Sequence, residues 1–317
     1  MRTPILAART AQDIRLQVDK ILRGLGNPDP PLNLRLAREL LALDRAFYST
    51  IEDGAARETV SRIVVAGRQV LQRPGLLIDA IRKLSLRALY LPDQRRILID
   101  ADQPRLKHRW NEAHEIGHSI IPWHQGLMGD DRLTLRPTCH AQLENEANYA
   151  AGCLLFLGPQ FVNEARSLRP GFEAVSRLAE RYGNTLTSTL WRYVTECFPD
   201  LPAVAVISGH PHPSRRSGDF EASRPCKHLI LSPRFARDFA GVTERSLFSQ
   251  IVGYCGSQRK GMIGSSEIVL ENETGEAHVF LFETFFNSYE ALTVGIHLRK
   301  EQIVLSPGAS FPQADAT

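Results

Sequence analysis

RLKHRWNEAHEIGHSII, residues 105–121, is the stretch from which the rest of the chain is read. The run reads as a helix over 104–121 that Pro122 closes, because proline cannot continue the backbone hydrogen-bond ladder. Within it, His114-Glu115-Ile116-Gly117-His118 sets two imidazoles four residues apart. That spacing puts both rings on one helix face, where they can share one zinc ion. Glu115 follows the first histidine, within reach of a metal-held water as general base.

A catalytic zinc site takes three protein ligands and leaves a fourth position for water. His118 is followed by SIIPWH, which does not supply a third histidine at the spacing HExxHxxGxxH. The third ligand is sought in Leu143-Glu144-Asn145-Glu146-Ala147-Asn148-Tyr149-Ala150-Ala151, which opens a helix otherwise filled with Ala, Leu and Phe. A carboxylate buried on such a helix needs a partner. Glu146 is preferred, because small residues that allow close helix packing follow it; Glu144 competes, and His140 ranks third. Cys139, placed in the loop before this helix, is a candidate fourth ligand that would displace water and hold the site inactive, since thiolate binds zinc well. Tyr149, His124, Arg109 and His140 are candidate oxyanion donors. The strand at Arg96–Asp100 is a candidate for aligning an extended substrate by strand addition.

HEIGH with the downstream ENEAN-x-AA-x-x-LL resembles the ImmA/IrrE family of zinc metallopeptidases over roughly residues 85–160. The resemblance implies that the Glu of the EAN triplet, Glu146, is the third ligand beside His114 and His118. It implies Zn2+ as cofactor and a helix-turn-helix transcriptional repressor as the substrate, cut to release stress or anti-phage defence genes. Members often carry a helix-turn-helix-like segment next, and some add a GAF-like sensor domain. The chain departs from the family pattern at Ala150, Phe156 and Leu157, with Pro159 two residues later. The departures bear on how that helix ends.

Outside the motif, residues 7–25 read as a helix, GNPDPPLN (26–33) breaks it, and a second helix runs from Leu34 to Phe47. A third covers roughly 54–84. LRALYLP (86–92) and RRILID (95–100) around Asp93-Gln94 form a β-hairpin. Residues 172–194 hold two amphipathic stretches joined at Tyr182-Gly183-Asn184, the shape of a helix-turn-helix. From Pro202 the chain turns strand-rich: AVAVIS, KHLILS, SEIVLEN, AHVFLFETFF and LTVGIHL, with one helix near 243–255. The fold expected is α+β: a mostly helical zincin-like metallopeptidase domain with a short hairpin (1–160), a helical helix-turn-helix-like linker (161–200), and an α+β GAF-like sensor domain (201–317) open to a nucleic-acid or small-molecule signal.

The 317 residues are 43% hydrophobic and 23% charged, which excludes a disordered or collagenous chain. Residues 1–110 hold 20 Lys and Arg against 12 Asp and Glu, a surplus of +8, while the remainder holds 18 against 23, or −5. The surplus is dispersed Arg and reads as solvated helix faces before a docking face for an acidic partner. No apolar run spans a bilayer and no secretory signal is read, so no membrane partner is expected. Five scattered cysteines without CxxC suit a reducing compartment, and the expected location is cytoplasmic. Cys153, Cys197 and Cys255 read as core thiols, His210 and His212 as solvent-facing loop residues, and FLFETFF (280–286) as buried sheet. The opposing function class is a DNA-binding regulator with a structural zinc site. Glu115 argues against it, because a structural site needs no general base, and the second helix of the pair, with one Arg beside Trp191 and Tyr193, is poorly suited to read DNA.

Overall fold

A computed structural model describes residues 6–48, 88–91, 95–101, 103, 105–124, 137–218 and 220–301. The expected helix over 54–84, the turn at Asp93-Gln94 and most of the polar loop after Pro122 lie outside these residues. The chain divides into two compact units, one of residues 2–169 with 173–192, the other of Met1, 170–172 and 193–317.

In the first unit, helix α1 (Ala8–Gly24) buries Ile14, Val18 and Leu22, while Ile21 and Leu25, which helical spacing also put on the apolar face with Ile14 and Val18, are half-buried. Asn33 accepts a hydrogen bond from the Arg35 amide and caps α2 (Leu34–Leu40). The second helix therefore stops seven residues short of the Phe47 expected from sequence, and Asp44–Tyr48 forms strand β1 instead. The reason is local: Ala42 turns to φ 52°, its N–H reaches Glu39 O at 3.1 Å, and the Leu43 N–H reaches Arg38 O at 2.8 Å. These two bonds close the helix as a Schellman motif with alanine in the position glycine usually fills.

Strand β2 (Ala88–Leu91) pairs antiparallel with β3 (Arg96–Asp100), as the hairpin reading expects. β1 adds to the other side of β3 in parallel, giving the order β1-β3-β2. Arg96–Asp100 is thus the central strand, with both ladders filled. It cannot take a substrate strand, and among the described residues β2 is the edge of the hairpin. α3 (Arg105–Ile120) packs on β2 and β3 and carries the HExxH motif. Glu112 of α3 is buried and receives Arg38 of α2 at 2.6 Å and Arg45 of β1 at 2.8 Å, tying three elements together.

Helix α4 (Pro137–Leu155) lies against α3. Cys139 is in its first turn and not in a loop, and its side chain, like that of His140, is outside the described residues. α4 ends as α2 does: Leu157 takes φ 53°, its N–H meets Leu154 O at 3.1 Å, and the Gly158 N–H meets Cys153 O at 3.0 Å. Pro159 then starts α5 (Pro159–Ser167), which α6 (Phe172–Tyr182) and α7 (Leu186–Glu196) follow. Phe156, Phe161 and Tyr182 form an aromatic cluster with centroids 4.7–6.2 Å apart. Every residue of α7 is buried or half-buried, which suits a packed helix better than one laid in a DNA groove.

The second unit is a five-stranded antiparallel sheet, order β5-β4-β8-β7-β6, with β4 Ala203–Ser208, β5 Cys226–Leu231, β6 Gly261–Glu271, β7 Ala277–Phe286 and β8 Ala291–Lys300. Between β5 and β6 lie α8 (Pro233–Asp238) and α9 (Glu244–Tyr254), whose Phe235, Phe239, Leu247, Phe248 and Ile251 share one core with Val204, Val206, Phe280 and Phe282. The strand-like runs and the helix near 243–255 stand where the sequence puts them. Cys153, Cys197 and Cys255 are buried as expected. His210 is not a solvent residue: it is 5% exposed, its Nε2 bonds Gln258 O at 2.9 Å, and its Nδ1 accepts the His212 amide at 3.1 Å. That ring is the anchor of a loop whose Pro and Ser content had suggested free solvation.

Candidate metal centre

α3 and α4 bring the site together because nothing stands between them at Gly117. A Cβ there would meet Ala147 O at 2.9 Å and Ala150 Cβ at 3.2 Å. Gly117, the middle residue of IGH, is therefore a contact point for α4, and Ala147 and Ala150 are the small residues facing it.

At this crossing His114 and His118 turn their Nε2 atoms toward one another at 3.2 Å. Glu144 joins them, one oxygen 3.2 Å from His114 Nε2 and the other 3.5 Å from His118 Nε2. Glu146, the residue preferred from sequence, is not at this point. Residues 144 and 146 stand about 200° apart around a helix, so only one of them can face α3 at a given height. Glu144 shares its face with Asn148, whose Oδ1 lies 3.0 Å from His114 Nδ1. Glu146 shares the other face with Gln142, whose Nε2 donates to it at 2.8 Å. Its second oxygen accepts Trp123 Nε1 at 2.6 Å and meets His124 Nε2 at 2.9 Å. His124 in turn faces His118, Nδ1 to Nδ1, at 2.9 Å.

The electrostatics follow the burial. Burial pushes the Glu115 carboxyl up to about 7, with the His114 charge pulling it back, the Glu144 charge adding to the rise, and a backbone hydrogen bond from Tyr90 opposing it. Burial also lowers His118 to about 4, against the hydrogen bond to Glu144. His114 is raised: burial works against its charged form, but Glu144, Glu115 and Asn148 together outweigh it. Glu144 is desolvated yet held well below the usual carboxylate range by its bonds to both histidines. Glu146 is lowered too, its burial outweighed by the donors Trp123, Gln142 and His124.

Residues 78–192 match the family model described as the IrrE N-terminal-like domain, of the M78 peptidases. The likeness to that family lies in this segment, which is less than half of the chain. The matched span holds every residue of the centre just described. The radiation response metalloprotease IrrE of Deinococcus radiodurans is 28% identical over 160 residues, 48% of this chain and 46% of that protein. The match spans about half the length of that relative. A solved Mycobacterium tuberculosis transcriptional regulator superposes with a TM-score of 0.49 at 13% identity, over 94% of this chain and 93% of that one.

Among the described residues, His114, His118 and Glu144 of the IrrE-like segment are the one group of three or more His, Cys, Asp or Glu side chains able to hold a metal ion, their ligand atoms all within 4.8 Å of one another. The donor set suits zinc. Two ligands bound at the usual zinc distances on a tetrahedral ion stand roughly 3.3 Å apart, and the observed separations are 3.2, 3.2 and 3.5 Å.

Of the candidate oxyanion donors, Tyr149 is taken up elsewhere, its hydroxyl receiving Arg15 and its ring lying 5.9 Å from the Arg192 guanidinium. Arg109 Nη1 donates to Leu32 O at 2.8 Å. The sequence reading gave no part to Asn148, Trp123 and Gln142. The two i,i+4 pairs Glu144/Asn148 and Gln142/Glu146 were the signal that could have sorted the faces of α4.

Proposed function

We propose that the chain is a zinc-dependent endopeptidase, with His114, His118 and Glu144 as ligands and Glu115 as general base. One observation carries the reading. Asn148 occupies Nδ1 of His114 and His124 occupies Nδ1 of His118. With one ring proton on each of those outer nitrogens, the two neutral rings turn their Nε2 lone pairs toward each other and toward the Glu144 carboxylate. Three electron-pair donors at 3.2–3.5 Å repel unless a cation sits among them.

Bound there, zinc supplies a Lewis acid that acidifies water and polarises a carbonyl. Glu115 takes the proton of the attacking water and passes it to the leaving amine. Its elevated carboxyl suits both steps, since a proton shuttle works best with a value near the working pH. The Tyr90 amide of β2 is spent on Glu115, so the outer edge of that strand runs beside the general base. An extended substrate segment pairing with β2 passes the site at that height.

The substrate in this reading is a helix-turn-helix repressor, as the family resemblance implies, and cleavage releases stress or defence genes. The strand-rich second unit is a GAF-like sensor that takes a nucleic-acid or small-molecule signal. Its five-stranded sheet, with two helices packed on one face, is a suitable scaffold for that role. The competing regulator with structural zinc requires a closed four-ligand site and a helix free to enter a groove. Every residue of α7 is buried or half-buried.

The test is Glu115→Gln in cells of the source organism, with the cleavage products of their helix-turn-helix repressors read by mass spectrometry. The variant keeps its zinc and loses one specific cut that the parent makes. Equal cleavage by the variant, or no cut by either, overturns the reading.

A further inference from the structure

Two side chains behind the metal position, His124 and Glu146, take no part in the proposed chemistry, yet they are among the most enclosed polar groups of the described residues. His124 is 0% and Glu146 1% exposed. After α3 ends, the chain turns at Ile121–His124, with the His124 amide on Ile121 O at 3.0 Å, and this folds His124 back under His118. A run of three hydrogen bonds then leads away from the site: His118 Nδ1 to His124 Nδ1 at 2.9 Å, His124 Nε2 to Glu146 Oε2 at 2.9 Å, and the same Oε2 to Trp123 Nε1 at 2.6 Å. Gln142 Nε2 holds the other oxygen at 2.8 Å.

The protons on this run follow from counting donors. A carboxylate only accepts, so His124 must carry its proton on Nε2. A neutral ring has one such proton, which leaves a lone pair on His124 Nδ1. The single proton between the two Nδ1 atoms therefore belongs to His118. His118 is then left with its lone pair on Nε2, the atom that faces His114 and Glu144.

We propose that His124 and Glu146 form a positioning relay, which fixes His118 as the Nδ1–H tautomer and commits its Nε2 lone pair to the metal position. Glu146 acts through two imidazoles, not as a ligand. Trp123 and Gln142 keep its carboxylate in place. The proposal deepens the metallopeptidase reading and rests on it for what the relay serves. The proton order itself stands on the hydrogen bonds alone. Outer partners of this kind typically change metal affinity by about 10- to 100-fold when removed.

The experiment uses the full-length protein with 15N-labelled histidine, first free of metal. Long-range 1H–15N correlation spectra report which ring nitrogen carries each proton. His118 is expected as Nδ1–H and His124 as Nε2–H. His124→Phe removes the acceptor and Glu146→Gln removes the anion, and either variant lets His118 populate the Nε2–H form. His124→Gln serves if the phenyl ring prevents folding, judged by circular dichroism. Cobalt(II) titration is the second readout. Glu146→Gln keeps the visible band intensity of the parent, and so its ligand number, with affinity about 10- to 100-fold weaker. Glu144→Ala changes the band itself.

His118 found as Nε2–H in the parent overturns the relay. So does an unchanged tautomer with unchanged cobalt affinity in the relay variants, and so does a band altered by Glu146→Gln, which would make Glu146 a ligand. A parent that takes up no cobalt defeats the metallopeptidase reading instead, while the nitrogen spectra still decide the relay.

Discussion

Glu115 is 5% exposed, and burial is the largest influence on its carboxyl, which stands at about 7 in place of the ordinary 4.5. A folded-state value above the unfolded one means that the native protein holds this proton more tightly than the unfolded chain does. Its contribution to stability is whole below about 4.5 and is lost as pH rises through about 7. Glu115→Gln removes a charge that is costly to bury. The metal-free variant should therefore melt higher than the parent at pH 8 and show a much smaller gain at pH 5. Equal shifts at both pH values would show that the carboxyl is not desolvated. The pair His114/His118 and its neighbour Glu115 were legible in the sequence because their arrangement depends on helix period alone. The choice between Glu144 and Glu146 was not, because each is a plausible buried carboxylate on α4. Which one meets the histidines depends on how α4 is rolled against α3, and no local property of the sequence specifies that roll.

Helix ends and helix contacts supply the next level. Four helices finish with the same pair of hydrogen bonds and a left-handed residue. Gly26 and Gly183 fill that position after α1 and α6, whereas Ala42 and Leu157 fill it after α2 and α4. The glycine ends were visible in the sequence as breaks. The end of α2 was not, so a helix was extended through what is strand β1. The parallel pairing of β1 with β3 was hidden as well, since its partner lies some fifty residues away. A left-handed residue with a Cβ costs roughly 1–2 kcal/mol, part of which glycine gives back in unfolded-chain entropy. Ala42 is exposed, so Ala42→Gly should stabilise the protein by about 0.5 kcal/mol. Leu157 is 4% exposed, and Leu157→Gly should destabilise it, because losing a buried leucine costs about 2–5 kcal/mol. Denaturant midpoints read both, and a loss for Ala42→Gly would mean the cap is not strained.

Gly117 belongs to this scale too. An added methyl would press on the backbone of α4 at Ala147 O, which cannot rotate away as a side chain tip can. Gly117→Ala should separate the two helices, cost about 1–3 kcal/mol, and weaken zinc binding at least tenfold by carrying Glu144 off the histidines. Chelator competition measures the affinity. An unchanged value in a folded variant would contradict the role given to this contact.

Across the whole molecule, the candidate metal centre lies within one compact unit, and the five-stranded sheet belongs to the other. The shift from helical to strand-rich sequence after Pro202 made the second sheet legible. That the first unit reaches residue 192, inside α7, was not, because a continuous helical pattern gives no sign of a boundary. A ligand stabilises what it binds. Zinc added in excess should therefore raise one calorimetric transition, that of the unit holding His114, and leave a second where it was. A single transition moved as a whole would mean that the two units unfold together. The same scan repeated at lower pH draws on the lone-pair cluster described above. Without metal, that cluster holds its cation in the form of a proton, and His114, raised by Glu144 and Glu115, is the ring that bears it. Zinc must evict this proton to enter, so the zinc-dependent rise should shrink as the solution is acidified towards pH 5.5. The centre then behaves as an ion exchanger. Acid and metal compete for one seat, and a fall in pH unloads the site while the surrounding helices stay folded.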